Sequence, residues 1–104
     1  MPVTTIAGHD VHVDDEGFLT SYEEWDEGLA KALAEQIGID LGEEHLEVLR
    51  FLREDFTQKG ETATLRRVST VAGVPTKRLF ELFPKKPAKK MAYVAGLPKP
   101  RGCV

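Results

Sequence analysis

Glycine and proline cut this sequence into segments that suit only a small bundle of short helices. Apolar stripes of helical period run out at Gly38, Gly60, Gly73 and Gly96, and Pro75, Pro84, Pro98 and Pro100 fall in or beside the gaps. A glycine just past a stripe ends a helix in the left-handed conformation, and a proline cannot continue one. Trp25, Leu29, Leu33 and Ile37 recur every fourth residue, and Ser21 with Glu24 has the form of a capping box, so a first helix is expected from Ser21 to Gln36. Leu46, Leu49, Leu52 and Phe56, widened by Val48 and Phe51, predict a central helix over Glu43 to Lys59. A third is expected from Thr64 to Ala72 with Leu65, Val68 and Val71 or Ala72 inward. A fourth opens at Pro75 and carries Leu79, Phe80, Leu82 and Phe83, and a last one spans Ala88 to Ala95.

Ahead of these helices, Val3 to Ile6 and Asp10 to Val13 flank Ala7-Gly8-His9, and His12 between Val11 and Val13 shows the alternation of a hairpin strand. Phe18 and Leu19 then tuck back against the core after the Asp14-Asp15-Glu16-Gly17 turn. The expected fold is mostly α, a small helical bundle with an N-terminal β-hairpin and a flexible C-terminal arm. Its 104 residues suffice for one domain, taken as 1–96, with 97–104 as the arm.

Charged residues at 30% and hydrophobic ones at 41% fit a globular chain rather than a disordered one. No apolar run approaches the roughly 20 residues that cross a bilayer. The start, Met1-Pro2-Val3-Thr4-Thr5, lacks the basic and apolar regions of a signal peptide, so the expected location is the cytoplasm, away from membranes. A lone cysteine builds no disulfide framework and is available as a thiol in a reducing compartment. The net charge of −3 hides an asymmetry: residues 1–61 hold 16 acids and 4 bases, residues 62–104 hold 1 acid and 10 bases. Beyond Glu81 there is no acid, while Lys85, Lys86, Lys89, Lys90, Lys99 and Arg101 follow. Such a half suits nucleic acid, an acidic protein surface, or pairing with the acidic half inside the fold.

The lone cysteine is Cys103, at the end of Gly96-Leu97-Pro98-Lys99-Pro100-Arg101-Gly102-Cys103-Val104. The two prolines favour an extended strap, and the seven residues from Leu97 to Cys103 at about 3.1 Å each carry the thiol roughly 22 Å from Gly96, which acts as a hinge. Gly102 frees the backbone beside the sulfur. That reach suits insertion into another protein's active site. Lys99 and Arg101 stand where they stabilise a thiolate or persulfide anion or contact a partner, while the C-terminal carboxylate opposes them.

Residues 64–83 also have the form of a helix-turn-helix, with Gly73 in the turn and Thr76, Lys77 and Arg78 opening the recognition helix. Lys77 and Arg78 are therefore candidates for nucleic-acid or partner contacts, with DNA as a secondary partner. His9, His12 and His45 do not form a metal-ligand pattern and read as surface or structural residues. No glycine-rich phosphate loop follows a strand, so no cofactor is implied.

Several motifs resemble those of a known family. They are Asp15-Glu16-Gly17-Phe18-Leu19, the Trp25 segment, Glu44-His45 with Leu49-Arg50-Phe51-Leu52-Arg53, Leu82-Phe83-Pro84 with Pro87-Ala88-Lys89, and the ending Ala95-Gly96-Leu97-Pro98-Lys99-Pro100 with Gly102-Cys103-Val104. The chain resembles, over nearly its whole length, the DsrC/TusE/DsvC family: the gamma subunit of dissimilatory sulfite reductase and its relatives in the tRNA-thiolation sulfur relay. The resemblance implies a sulfur carrier that holds persulfide on Cys103 and acts as a protein co-substrate rather than a stand-alone enzyme. It implies protein donors and acceptors of sulfur as partners, either relay proteins or dissimilatory sulfite reductase. Family members that act with the reductase carry a second arm cysteine, which falls at position 92. Ala92 stands there, which favours the single-thiol carrier of the tRNA-thiolation type, with a DNA-binding or regulatory paralogue as the alternative.

Overall fold

The computed structural model describes residues 3–6 and 8–99, with the side chain of His9 excepted. It shows a two-stranded antiparallel hairpin and five helices: β1 Val3–Ile6, β2 His9–His12, α1 Glu27–Gln36, α2 Glu43–Lys59, α3 Leu65–Val71, α4 Thr76–Leu82 and α5 Pro87–Val94. β1 pairs with β2 from Val3 opposite His12 to Ile6 opposite His9. Val13 continues the hairpin through a bridge to Leu19, which places Phe18 and Leu19 in the core as expected. No described helix is long and apolar enough to cross a membrane.

The first helix departs from its expected start. Ser21 makes no side-chain cap and introduces only a 3-10 turn, Tyr22–Glu24. The chain then extends through Trp25, and Asp26 caps α1 by accepting from the Leu29 N–H at 2.7 Å. A carboxylate at this position satisfies an orphan N–H and meets the positive end of the helix dipole. The break leaves Trp25 free to aim its ring away from the α1 axis, which an uninterrupted helix forbids. At the other end of α1, Gly38 is left-handed, and its N–H and that of Ile39 return to Glu35 O and Ala34 O. This closure turns Ile39 into the core.

The central helix α2 spans the range expected for it, and its buried side chains are Val48, Leu49, Leu52 and Asp55. Leu49 and Leu52 join Val68, Leu79, Phe83 and Met91 in the main cluster, while Leu29 and Leu33 of α1 close a second one under the hairpin. Trp25 and Tyr93 pack against both. His45 ties α2 to α4: its Nδ1 accepts from the Gly42 N–H and its Nε2 donates to Leu82 O at 2.9 Å, edge-on to Phe83.

The residues expected to turn inward at the end of α3 do not: Val71 is 54% exposed and Ala72 is exposed as well, and Phe80 of α4 is 47% exposed. Each of α3 and α4 spans only two turns, so one inward residue per turn, Val68 on α3 and Leu79 with Leu82 on α4, fills the available interface. What fastens α3 to α2 is polar. Asp55 is 6% exposed and receives Arg67 bidentately, with Nη2 to Oδ1 at 2.7 Å and Nε to Oδ2 at 3.0 Å. The guanidinium holds the Asp55 carboxyl below its ordinary value of 3.8.

Two outcomes follow. Leu49→Ala, which empties a fully buried site on the central helix, is expected to cost roughly 2–5 kcal/mol in denaturant unfolding, and a loss well under 1 kcal/mol would displace α2 from the centre of the core. Because the folded-state pKa of Asp55 is depressed, its contribution is fully present above the unfolded value and is lost as pH falls through and below it. Asp55→Asn should therefore lower stability at neutral pH and flatten the acid limb of the stability curve, measured by urea titrations across the acid range.

Candidate functional site

The end of α5 is where the thiol-bearing segment leaves the body, and three of the carbonyls there, those of Val94, Ala95 and Pro98, each meet a side-chain donor. A helix leaves its last carbonyls without partners. Here Trp25 Nε1 donates to Val94 O at 2.8 Å and Arg53 Nη1 donates to Ala95 O at 2.7 Å. Thr62 Oγ1 donates to Pro98 O at 2.7 Å. Arg53 also reaches back through Nη2 to Tyr22 O at 2.7 Å, and its guanidinium lies 4.5 Å from the centre of the Trp25 ring. Burial lowers the Arg53 pKa, yet two carbonyls and an indole face remain to hold the cation.

Gly96 is part of this closure rather than a hinge. It is left-handed at φ +70°, its N–H donates to Tyr93 O, and the Leu97 N–H donates to Ala92 O at 3.0 Å. This pair of bonds is the closure that seats the following apolar residue on the helix, and Leu97 is 1% exposed. A Cβ on Gly96 would stand 2.6 Å from Trp25 Cδ1. The boundary expected after Gly96 therefore moves: Leu97 belongs to the core and Pro98 is tied to Thr62.

The expected site residues are distributed as follows. Cys103 and Arg101 lie outside the described residues. Lys99 is described, 40% exposed, with Nζ 3.5 Å from Glu16 Oε1. Lys77 is exposed in the first turn of α4. Arg78, one residue on, is engaged by Glu44 of α2 and by Glu81 at 3.1 Å, and these carboxylates hold its pKa up. The Lys77–Arg78 pair is thus split, one side chain open and the other committed within the fold, and the geometry gives no support to the helix-turn-helix reading. His12 bonds Glu24 through Nδ1 at 2.7 Å, and its backbone N–H donates to the same carboxylate, which lowers the Glu24 pKa. Ala92 is wholly buried on α5.

Sequence reasoning did not single out Arg53, Trp25 and Thr62 as the group that fixes the root of the arm. A signal was available for one of them: Arg53 falls four residues after Leu49 and three before Phe56, which puts a cation on an apolar stripe, a place where charge needs a dedicated partner.

Residues 5–104 match the family described as DsrC like protein. The chain belongs to this DsrC-like family. Among its relatives is the sulfurtransferase TusE of Escherichia coli strain K12, 38% identical over 93% of this chain and 95% of that one. TusE of Salmonella typhimurium strain LT2 stands at the same identity and coverage. Among solved structures, the NMR structure of Allochromatium vinosum DsrC superposes with a TM-score of 0.82 at 36% identity, over 98% of this chain and 97% of that one. The crystal structure of the oxidized gamma-subunit of dissimilatory sulfite reductase from Archaeoglobus fulgidus gives 0.78 at 36% identity, over 99% of this chain and all of the other. This DsrC-like chain thus has the expected fold, a helical bundle with an N-terminal hairpin.

Gly96→Ala tests the packed root. The left-handed backbone and the approach to Trp25 together predict a loss of roughly 2–5 kcal/mol, read by thermal or urea unfolding. A neutral substitution would mean that Trp25 moves aside freely.

Proposed function

We propose that this chain is a sulfur carrier which accepts a sulfane sulfur on Cys103 from a donor protein and yields it to an acceptor. Membership of the DsrC-like family carries the reading, supported by relatives named sulfurtransferase and by the single cysteine at the penultimate position. In the loading step the Cys103 thiolate attacks the outer sulfur of a donor persulfide. The donor's S–S bond breaks, a new S–S bond forms on Cys103, and the donor leaves as a thiolate. Unloading is the same exchange onto an acceptor thiolate. No external oxidant or reductant enters, because the sulfane sulfur moves between thiols at constant oxidation state.

Ala92 favours the single-thiol carrier over the two-cysteine chemistry of sulfite reduction. With no second cysteine in the chain, an internal disulfide cannot form, and resolution of the loaded thiol falls to a thiol on another protein. The partners are accordingly relay proteins of the tRNA-thiolation type. Arg101, two residues from the thiol, supplies positive charge for the persulfide anion.

Incubation with a protein persulfide donor followed by intact-mass measurement should show one added sulfur on the wild-type chain. Cys103→Ser should show none, with an unchanged unfolding transition. Absence of added sulfur on the wild type, while other relay proteins label rapidly, would replace the carrier by a regulatory role.

A further inference from the structure

Beside the root of the arm lies an open trough of about 390 Å³ whose floor is apolar, formed by Phe18, Ile37 and Tyr93. Its walls carry Lys86, Lys89 and Lys90 against a single acid, Glu16. Lys90 donates to Pro84 O, and Glu16 is held by Lys99. Among the described residues no carboxylate lies within ion-pair distance of Lys86 or Lys89. Lys85 and Lys86 are both left-handed, at φ 57° and 39°, a conformation that side chains other than glycine adopt at a cost, just where α5 begins. The floor buries a large aromatic, since Tyr93 meets Phe18 edge to face and donates its hydroxyl to Gln36.

We propose that this trough is a docking surface for a partner protein that presents an apolar side chain flanked by aspartates or glutamates. The inference rests on the carrier reading for the role of that partner, a donor or acceptor of sulfur, and on the trough alone for its chemistry. The volume is ample for one or two apolar side chains. The unpaired ammonium groups attract carboxylates and favour one orientation of encounter. Among the described residues no arginine lines the trough, so they supply no fork that grips phosphate bidentately. The aromatic floor is edge-packed and committed, which does not suit stacked bases, and nucleic acid is the weaker fit. The site's position completes the case. Glu16 on the rim is the residue that Lys99 contacts, so a partner seated here lies against the start of the thiol arm, and its carboxylates compete with Glu16 for Lys99.

The test uses the full-length isotope-labelled chain with Cys103→Ser, which removes the thiol from the experiment. The probes are a synthetic peptide with Leu-Phe between two runs of glutamate, the same peptide with Ser-Gly in place of Leu-Phe, a single-stranded oligonucleotide, and inorganic phosphate. Amide shifts from the Leu-Phe peptide should concentrate at Phe18, Ile37, Lys86–Lys90 and Tyr93. Binding should weaken about tenfold both for the Ser-Gly peptide and in Lys86→Asn with Lys89→Gln, a pair chosen because asparagine tolerates the left-handed position. Absence of shifts at these residues at millimolar peptide overturns the proposal. So do equal binding of the two peptides, tighter binding of oligonucleotide or phosphate at the same residues, and concentration-dependent shifts there without any probe, which would make a second copy the occupant. Because no sulfur chemistry is read, failure here leaves the carrier function standing, and failure of sulfur loading leaves the docking result standing.

Discussion

Three side-chain donors at the end of α5 hold this molecule in its working form. Carbonyls at the C-terminus of a helix are ordinarily left to water. Here Trp25, Arg53 and Thr62, drawn from three separate parts of the chain, each donate to one of Val94, Ala95 and Pro98. Each donor brings its own element to the same place: Trp25 the entry to α1, Arg53 the middle of α2, Thr62 the connection to α3. Arg53 adds the Tyr22 carbonyl, so the turn before α1 and the end of α5 share one guanidinium. A cation half withdrawn from water is costly unless its N–H groups are used, and here geometry uses them on carbonyls that themselves need partners. The arrangement explains why the first helix breaks at Trp25 and why a glycine must follow α5.

Much of this architecture was legible because it is local. The limits of α2 follow from an apolar stripe and a terminating glycine, and the hairpin from alternation on either side of Gly8, although its second strand runs from His9 to His12 and not from Asp10 to Val13. What escaped is what joins distant residues. Ser21 and Glu24 form a sound local capping pattern, but Asp26 won because Trp25 has to reach a carbonyl 69 residues away. Phe80 and Val71 look like core by periodicity, yet a two-turn helix offers room for little more than one inward face. Leu97 reads as part of an extended strap by its proline neighbours, whereas the closure around Gly96 commits it to the core. The candidate site divides in the same way: the thiol and its glycine are evident in the sequence, and the side chains that orient its base are evident only in three dimensions.

The charge asymmetry of the chain is partly consumed by the fold. Arg67 is matched to Asp55, Arg78 to Glu44 and Lys99 to Glu16, so the basic half pairs with the acidic half across element boundaries, while Glu81 meets Arg78 within α4. The helix-turn-helix reading needed Arg78 on the outside. In the fold Arg78 pairs with Glu44 on α2, and Lys85, Lys86, Lys89 and Lys90 gather at the start of α5.

The bond from Thr62 to Pro98 sets the length of the leash. With Leu97 buried and Pro98 held, Cys103 stands four links of chain beyond Lys99, and a fully extended chain of that length spans at most about 14 Å. For a flexible tether, moving the anchor from seven links to four raises the local concentration of the tip by about twofold, on the −3/2 power of length. The gain has a geometric counterpart. Any pocket that is to reach the Cys103 thiol has to open within that radius of Lys99, so most of the protein's surface is out of range of it.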